Sequence, residues 1–544
     1  MRNMLFSAKK INPDDLEQLE RTLPVDAFRI HFETTGAPRI EATTPAARFY
    51  AENYLTDLQH RGELPQTPQI LEDSPRFQER GFMLDVSRDR VPTMDSLLRL
   101  IDKLGRLRYN QLQLYTEHTF AFKNHEKVWK DASPFTEDEI HQLEDYCEQR
   151  HIELVPNQNC FGHMERWLKH AEYHHLAECP NGFEHPTAGH RDVGTTLHPS
   201  DQSESFVREI LTDVLPVYRS KKANIGGDEP WELGQGRSHD EAVKIGKHEV
   251  YLRFLKKIFS ITEELGKEPI FWADILLERP ELVHQIPSNA VPAIWGYHPS
   301  HPYTEQCRII ADAGFRDQFQ VVPGTNTWNS FTGRLRFAAE NIQFASREGF
   351  KNGARGMVLT CWGDGGHHQS SASLYPSLIL AAQAMWESSD DAREHSLEIL
   401  PREIDFLFYA DEPTGNGEAI CSLGEVDDLL PYPNHNQSFL HYAFFADSER
   451  IQSLSETVGL DDLSQAESHL SEIDPENLDP CVSLSREMSL WAIERCRHCL
   501  GHSQFSGEDL VDWLQSIHSD FKEIWLRDSR PGGLKDSLDR FPLP

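Results

Sequence analysis

The feature that most constrains this chain is an eightfold alternation of short apolar β-type runs with helical stretches between Gly81 and Trp362. The runs read GFMLDVS (81–87), YNQLQLY (109–115), IELVPN (152–157), ANIGG (223–227), PIFWAD (269–274), PAIWGY (292–297), FQVVPG (319–324) and GMVLTCW (356–362). Amphipathic segments separate them, such as MDSLLRLIDKLGRL after the first and TEDEIHQLEDYCEQR before the third. Their apolar residues recur at helical spacing. Eight such units predict an α/β protein built on a (β/α)8 TIM barrel, with all strand C-termini at one face. A doubly wound open sheet is the competing arrangement. No glycine-rich phosphate turn follows the first strand, which argues against it.

At 544 residues the chain exceeds what one hydrophobic core usually organises. Residues 1–75 predict a small α+β domain, with a strand at Phe28–Phe32 and a helix from Pro45 to Gln59, closed by the turn-rich RGELPQTPQILEDSPR. Residues 76–390 form the expected barrel and 391–544 a helical C-terminal domain, represented by FLHYAFFADSERIQSLSETV and GEDLVDWLQSIHSDFKEIWLRD. These helices are expected to close over the pocket or to form a homodimer interface. The third barrel unit carries a long insertion, Phe161 to Leu215, rich in His, Gly and Pro. In a barrel such an insertion covers the C-terminal face, where active sites are assembled.

Asp and Glu number 87 against 53 Lys and Arg, for a formal net charge of -34. That surplus repels phosphate backbones and anionic lipid, so neither nucleic acid nor membrane is an expected partner. Neutral substrates are indifferent to the field, and cationic ones are attracted. The opening MRNMLFSAKKINPDD contains no apolar signal core, and no stretch approaches the roughly 20 apolar residues that span a bilayer. Nine scattered cysteines, an odd number, suit reduced thiols. A cytoplasmic enzyme is the expectation. Cys496 and Cys499 make an isolated C-x-x-C without a second ligand pair. His118, His174-His175 and His367-His368 also lack zinc-site spacing. No metal and no cofactor is expected.

The strongest local signal is ANIGGDEPWELGQGRS. Gly226 and Gly227 permit a tight turn at the end of the fourth strand, and Pro230 keeps a helix from starting there. Asp228 and Glu229 are thereby set at the strand's C-terminal edge. Neighbouring carboxylates raise each other's proton affinity and leave one able to donate a proton near neutral pH. A polar strand-end turn is the alternative reading of the motif. The 11 tryptophans add a second signal. Trp272, Trp295, Trp328 and Trp362 all fall at strand ends, where several indole faces can clasp one sugar. Asp364, Asp274, Arg80 and His163 accompany them. Carboxylates and guanidinium groups beside aromatic walls suit hydrogen bonding to sugar hydroxyls; ion pairs between barrel strands are the alternative.

Taken together, these residues resemble glycoside hydrolase family 20, the β-N-acetylhexosaminidases, over roughly residues 75–390. The resemblance rests on Arg80-Gly81, Gly162-His163, Ile225-Gly226-Gly227-Asp228-Glu229, Trp272, Trp295, and Trp362 followed by an acid two residues on. It implies an exo-acting hydrolase that removes terminal β-linked N-acetylhexosamine from a glycan or glycoconjugate. The implied mechanism is substrate-assisted and retaining, an exception to the scheme with a side-chain nucleophile. Asp228 orients the 2-acetamido group, and Glu229 is the general acid/base. Trp272, Trp295 and Trp362 wall the pocket, while Arg80 and Asp364 hold hydroxyls at the non-reducing end. Several positions depart from the family pattern. Asn224 stands where histidine is common, Glu117-His118 replace a pair of aspartates, and Asp364 replaces a glutamate. The loop PGTNTWNS lacks the tyrosine that usually donates to the acetamido oxygen; Trp328 and Asn329 are the candidates for part of that site, and the donor stays open. A silent sugar-binding barrel and a retaining glycosidase with a side-chain nucleophile remain the alternatives, and the choice between gluco and galacto configuration stays open.

Overall fold

The computed structural model describes residues 6, 8–11, 23–34, 36–186, 189–386, 393–409, 414–434 and 436–542. The expected boundary at 390–391 and parts of the expected N-terminal domain lie outside the described residues. Four strands open the chain: β1 (Lys9–Ile11), β2 (Phe28–Phe32), β3 (Arg39–Ala42) and β4 (Gln69–Asp73), paired antiparallel in the order β1-β4-β2-β3. The helix Pro45–His60 packs on them. Thr44 starts it by accepting from Ala47 N–H, Pro45 suits a first-turn position whose N–H is unused, and Tyr50, Ala51, Tyr54 and Leu58 form its buried stripe.

The next strands close into a parallel eight-stranded barrel, a (β/α)8 TIM barrel. They are β5 (Glu79–Asp85), β6 (Gln111–Thr116), β7 (Glu153–Gln158), β10 (Lys222–Asn224), β11 (Glu268–Trp272), β12 (Val291–Trp295), β13 (Gln320–Val322) and β14 (Gly356–Cys361). Between β7 and β10 lies the hairpin of β8 (Phe183–His185) and β9 (Gly189–Arg191). Most ladders stop one to three residues before the apolar runs do, because the last residues of each run turn out of the sheet towards the C-terminal face. The barrel bottom is closed by ions: Lys222 pairs with Glu79 and Glu153 (2.9 and 2.7 Å), and Arg355 with Glu79 and Glu268 (3.0 and 2.9 Å). The top is filled by Met83, Tyr115, Val155, Trp272, Trp328, Val358 and Trp362.

The insertion after β7 is stapled down by two buried carboxylates. Glu232 accepts from the backbone N–H groups of Thr195 and Thr196 (2.6 and 2.7 Å), and Glu178 from the Ser238 hydroxyl (2.7 Å) and from His198. Trp167, fully buried among Phe122, His125, Tyr173 and Phe206, anchors its start. After the barrel come helices only among the described residues, chiefly Arg393–Phe408, Asn416–Glu425, Phe439–Phe445, Pro480–Cys499 and Gly507–Asp528. They share one continuous apolar core with the barrel helices. Cys496 sits inside Pro480–Cys499, where burial pushes its thiol up to about 12.

Arg80 requires a correction. It is the second residue of β5 and therefore lies at the N-terminal end of the barrel, opposite the strand ends that build a site. Its guanidinium donates to the carbonyls of Arg108 and Phe77 (both 2.9 Å), to Tyr50 (3.2 Å) and to Asp26 (3.1 Å), and lies 5.1 Å from the Trp386 ring. It is 1% exposed. Arg80 docks the N-terminal sheet onto the barrel floor and is no sugar-binding group.

Candidate active site

At the barrel's C-terminal face two cavities of about 300 and 290 Å³ adjoin, sharing Arg88, His163, Glu229 and Asp364. The ladder of β10 ends at Asn224, whose side-chain oxygen accepts from Gly226 N–H at 3.0 Å and starts the turn. Gly226 and Gly227 then take φ of +72° and +96°, and Glu229 takes +48°. A Cβ on Gly226 would stand 2.4 Å from Asn159 Oδ1, so the turn admits only glycine there. Gly162 lets the insertion approach from the other side, since a Cβ there would meet the Asp228 carbonyl at 2.5 Å.

His163, on that approaching loop, stands between the paired acids, its Nε2 at 3.3 Å from Asp228 and 3.7 Å from Glu229. Burial works against its charge, but Asp228 prevails and raises its pKa to about 9. Asp228 is also within 3.5 Å of the Asn159 amide, which holds its second oxygen. Glu229 is pushed upward in pKa by burial, with Asp228 and Asp364 adding to the effect and His163 and Arg88 opposing it. A carboxyl in that environment keeps a proton closer to neutrality, which suits a general acid. Behind it, Asp274 accepts the Glu229 backbone N–H at 3.3 Å. Burial and the two neighbouring acids raise Asp274. It lines neither cavity and steadies the acid instead of facing a sugar hydroxyl.

Arg88 occupies the position that sequence reasoning gave to Arg80. It follows the end of β5 by three residues and reaches Asp85 (3.2 Å), Asp364 (3.5 Å) and Glu117 (3.6 Å), with its guanidinium 4.9 Å from the Trp362 ring and 5.1 Å from Tyr115. Asp85, fully buried, fixes this loop by accepting from the N–H groups of Ser87, Arg88 and Gly363. The signal that identifies Arg88 is its side of the strand, downstream instead of upstream. Asp364 faces both cavities, and burial raises its carboxyl despite Arg88. Of the Glu117-His118 pair, Glu117 lines the first cavity; His118 is buried away from both, its pKa lowered to about 3 by burial.

Trp295, Trp328 and Trp362 wall the second cavity, and Trp272 lies beneath with its ring centroid 6.3 Å from that of Trp362. The Trp272 indole N–H is buried without a partner. Tyr297, two residues past β12, stacks on Trp295 at 5.2 Å and meets Trp328 edge-on at 5.0 Å. Burial, together with Asp228 and Glu229, drives its phenol far above the usual range, so it stays a proton-bearing donor. Trp328 and Asn329 are engaged elsewhere: Trp328 donates to Asn436 Oδ1 at 2.8 Å, and Asn329 to the Asn436 carbonyl at 3.2 Å. Asn436 itself lines the second cavity and Arg540 the first, so the C-terminal helical region completes the walls.

Comparison with known proteins agrees with this geometry. Residues 77–316, which carry six of the eight strands and the paired acids, match the model described as glycosyl hydrolase family 20, catalytic domain. The chain is 23% identical over 337 residues to the β-hexosaminidase subunit beta of Felis catus, covering 58% of this chain and 61% of that protein. It is 25% identical over 239 residues to hexosaminidase D of Homo sapiens, covering 41% and 46%. The chain thus spans less than two thirds of the length of these relatives. Among solved structures, the Flavobacterium johnsoniae chitobiase superposes with a TM-score of 0.57 at 16% identity, over 95% of this chain and 86% of that one. A family 20 exo β-N-acetylglucosaminidase from Vibrio harveyi gives 0.56 at 18% identity, over 72% and 68%. At such identities the structures speak for the fold alone. The sequence match falls on the strands and loops that deliver His163, Asp228, Glu229, Trp272 and Trp295, and this part of the chain is similar to the catalytic domain of glycosyl hydrolase family 20.

Proposed function

We propose that the protein is an exo-acting β-N-acetylhexosaminidase that hydrolyses terminal β-linked N-acetylhexosamine by a substrate-assisted retaining mechanism. One observation carries the reading: Asp228 and Glu229, consecutive in sequence, line the same tryptophan-walled cavity with His163 between them. Two acids on one wall cannot attack the sugar from opposite faces, so the nucleophile is the substrate's own acetamido oxygen. That oxygen bonds to the anomeric carbon as the glycosidic C–O bond breaks, and Glu229 gives its proton to the leaving oxygen. Asp228 accepts from the acetamido N–H and balances the positive charge on the oxazolinium ring. Glu229 then takes a proton from water as that water opens the ring and restores the β configuration.

Tyr297, unlike Trp328 and Asn329, has a hydroxyl in the acetamido half of the cavity and is the donor to the acetamido oxygen. Arg88 and Asp364 bind hydroxyls at the closed end, which limits cleavage to terminal residues. A cytoplasmic location belongs to the same reading, supported by nine unpaired cysteines, eight of them buried. A homodimer through the C-terminal helices is open to sedimentation analysis.

The test is an initial-rate comparison of aryl β-N-acetylglucosaminide, β-N-acetylgalactosaminide and the non-acetylated β-glucoside. Turnover of either acetamido sugar with a silent glucoside is expected. Equal turnover of the glucoside, or a covalent sugar trapped on a carboxylate, would overturn acetamido participation. Binding without hydrolysis would leave a lectin.

A further inference from the structure

A cavity of about 610 Å³ opens beside the ends of β5 and β14, between the helix Met94–Arg106 and the C-terminal helices. Its size is that of a small-molecule site. Leu97, Leu100, Leu374, Leu378 and Phe408 give it apolar walls. Arg99 and Arg527, at 62% and 42% side-chain exposure, stand at its mouth.

Arg90 is the group in this cavity that the catalytic reading does not use. Its Nη1 donates to the Gln369 carbonyl at 3.2 Å, and its guanidinium lies 4.5 Å from the Trp525 ring. Its Nε is sealed from solvent and has no partner, and among the described residues no carboxylate comes within ion-pair distance of it. Asp528, which also lines the cavity, is engaged by Arg527 at 2.9 Å and Arg99 at 3.5 Å. A second lining group, the Tyr409 hydroxyl, is likewise buried without a partner. A largely buried cation normally has a counter-ion, because a carbonyl and an aromatic face offset only part of its lost hydration. This one lacks it in a chain whose formal charge is -34. Burial accordingly depresses the Arg90 guanidinium to about 10.

We propose that this cavity binds a small amphipathic anion, its acidic head on Arg90 and its apolar body against Leu97, Leu100, Leu378 and Phe408. Such a ligand would join the barrel to the C-terminal helices at a place separate from the sugar pocket.

The probe is 8-anilinonaphthalene-1-sulfonate, with the neutral N-phenyl-1-naphthylamine as its uncharged counterpart, titrated by fluorescence into the full chain. One saturable sulfonate site is expected, undisturbed by a saturating N-acetylglucosamine thiazoline that fills the sugar pocket. Arg90→Gln should weaken the sulfonate by about tenfold or more, the worth of a hydrogen bond to a charged group, while barely altering the neutral dye. Leu100→Trp fills the cavity from a half-buried helix position and should abolish both, with aryl glycoside turnover retained. Displacement by the thiazoline, equal weakening of both dyes by Arg90→Gln, or unchanged binding in Leu100→Trp would each overturn the proposal. If Arg90→Gln fails to fold, Leu100→Trp decides alone.

Discussion

Arg80 and Arg88 flank the same barrel strand and give a paired experiment with opposite outcomes. In Arg88→Gln the guanidinium beside Asp364 and the Trp362 ring is replaced by a neutral amide. Charge-assisted hydrogen bonds of this kind are worth about 1.5–3 kcal/mol each. Two of them to sugar hydroxyls translate into a loss of roughly 10² to 10⁴ in kcat/KM. Stability should change less, because the Arg88 side chain is 22% exposed and its buried partner Asp85 keeps the backbone N–H groups of Ser87, Arg88 and Gly363. Arg80→Gln reverses the pattern. That residue is 1% exposed and leaves Asp26, Tyr50 and three backbone carbonyls without their donor. Breaking a buried pair on one side costs about 3–5 kcal/mol. Initial rates on an aryl N-acetylhexosaminide, measured beside urea denaturation followed by fluorescence, separate the two effects. A folded Arg80→Gln that has lost turnover, together with an Arg88→Gln of wild-type rate, would refute the placement of both residues.

Glu229→Gln should lower kcat by about 10² or more, the usual worth of a general acid, with a smaller loss on substrates whose leaving group needs no proton. In the proposed mechanism, leaving-group protonation requires protonated Glu229, so Glu229 sets the alkaline limb, and its raised pKa carries activity to higher pH than an ordinary carboxyl allows. His163→Gln removes the leading opposing cation, so the alkaline limb of the pH–rate profile should move further up; a downward move would contradict the geometry. His163 also links pH to stability. Its folded pKa of about 9 lies above the ordinary value near 6.5, so its contribution is complete below about 6.5 and disappears as pH rises through 9. The difference in denaturation midpoint between wild type and His163→Gln should shrink across that window. Tyr297→Phe should cost about tenfold in kcat/KM and weaken thiazoline inhibition in parallel; unchanged inhibition would return the acetamido oxygen to another donor. Gly162→Ala places a Cβ 2.5 Å from the Asp228 carbonyl, and a displacement of about 1 Å there should cost roughly 10² in rate.

The eight strands were legible because barrel strands are buried on both faces and appear as short continuous apolar runs, bounded by helices of a different period. Trp272, Trp295 and Trp362 were legible for the same reason, since the run and its terminal ring are contiguous in sequence, whereas Trp328 stands in the loop six residues past β13. The arginine was misread because apolar periodicity marks a strand and not the direction in which its ends face. Only the rule that parallel strands present their C-termini to the site separates Arg88 from Arg80. Tyr297 was hidden in a turn after Gly296, where the phenol contributes to no repeating pattern. Asn436 and Arg540 had no local signal at all. They reach the cavities from a loop before the helix Phe439–Phe445 and a turn after the helix Leu534–Leu538, and nothing in their own surroundings in sequence points to a sugar pocket.

The adjacency of Asp228 and Glu229 has a physical explanation of its own. In a strand, successive side chains point to opposite faces, so two consecutive acids on the β10 ladder would put one into the barrel and the other into the helical layer. Both line one cavity because the ladder stops at Asn224 and the backbone crosses into positive φ at residues 226, 227 and 229. Glycine supplies the first two positions without strain. The third is a glutamate in the left-handed region, which costs of order 1–3 kcal/mol and persists only where the surroundings dictate it. They do so here: Asp274 accepts the Glu229 N–H, the Glu229 carbonyl accepts from Trp231 N–H at 2.7 Å, and Tyr251 donates to the Gly227 carbonyl at 2.8 Å. A polar turn with no further duty has no reason to hold a glutamate in that conformation, and asparagine or glycine would relieve it. The strain turns the second acid towards the cavity that the first already faces, as the proposed reaction, whose nucleophile belongs to the substrate, requires.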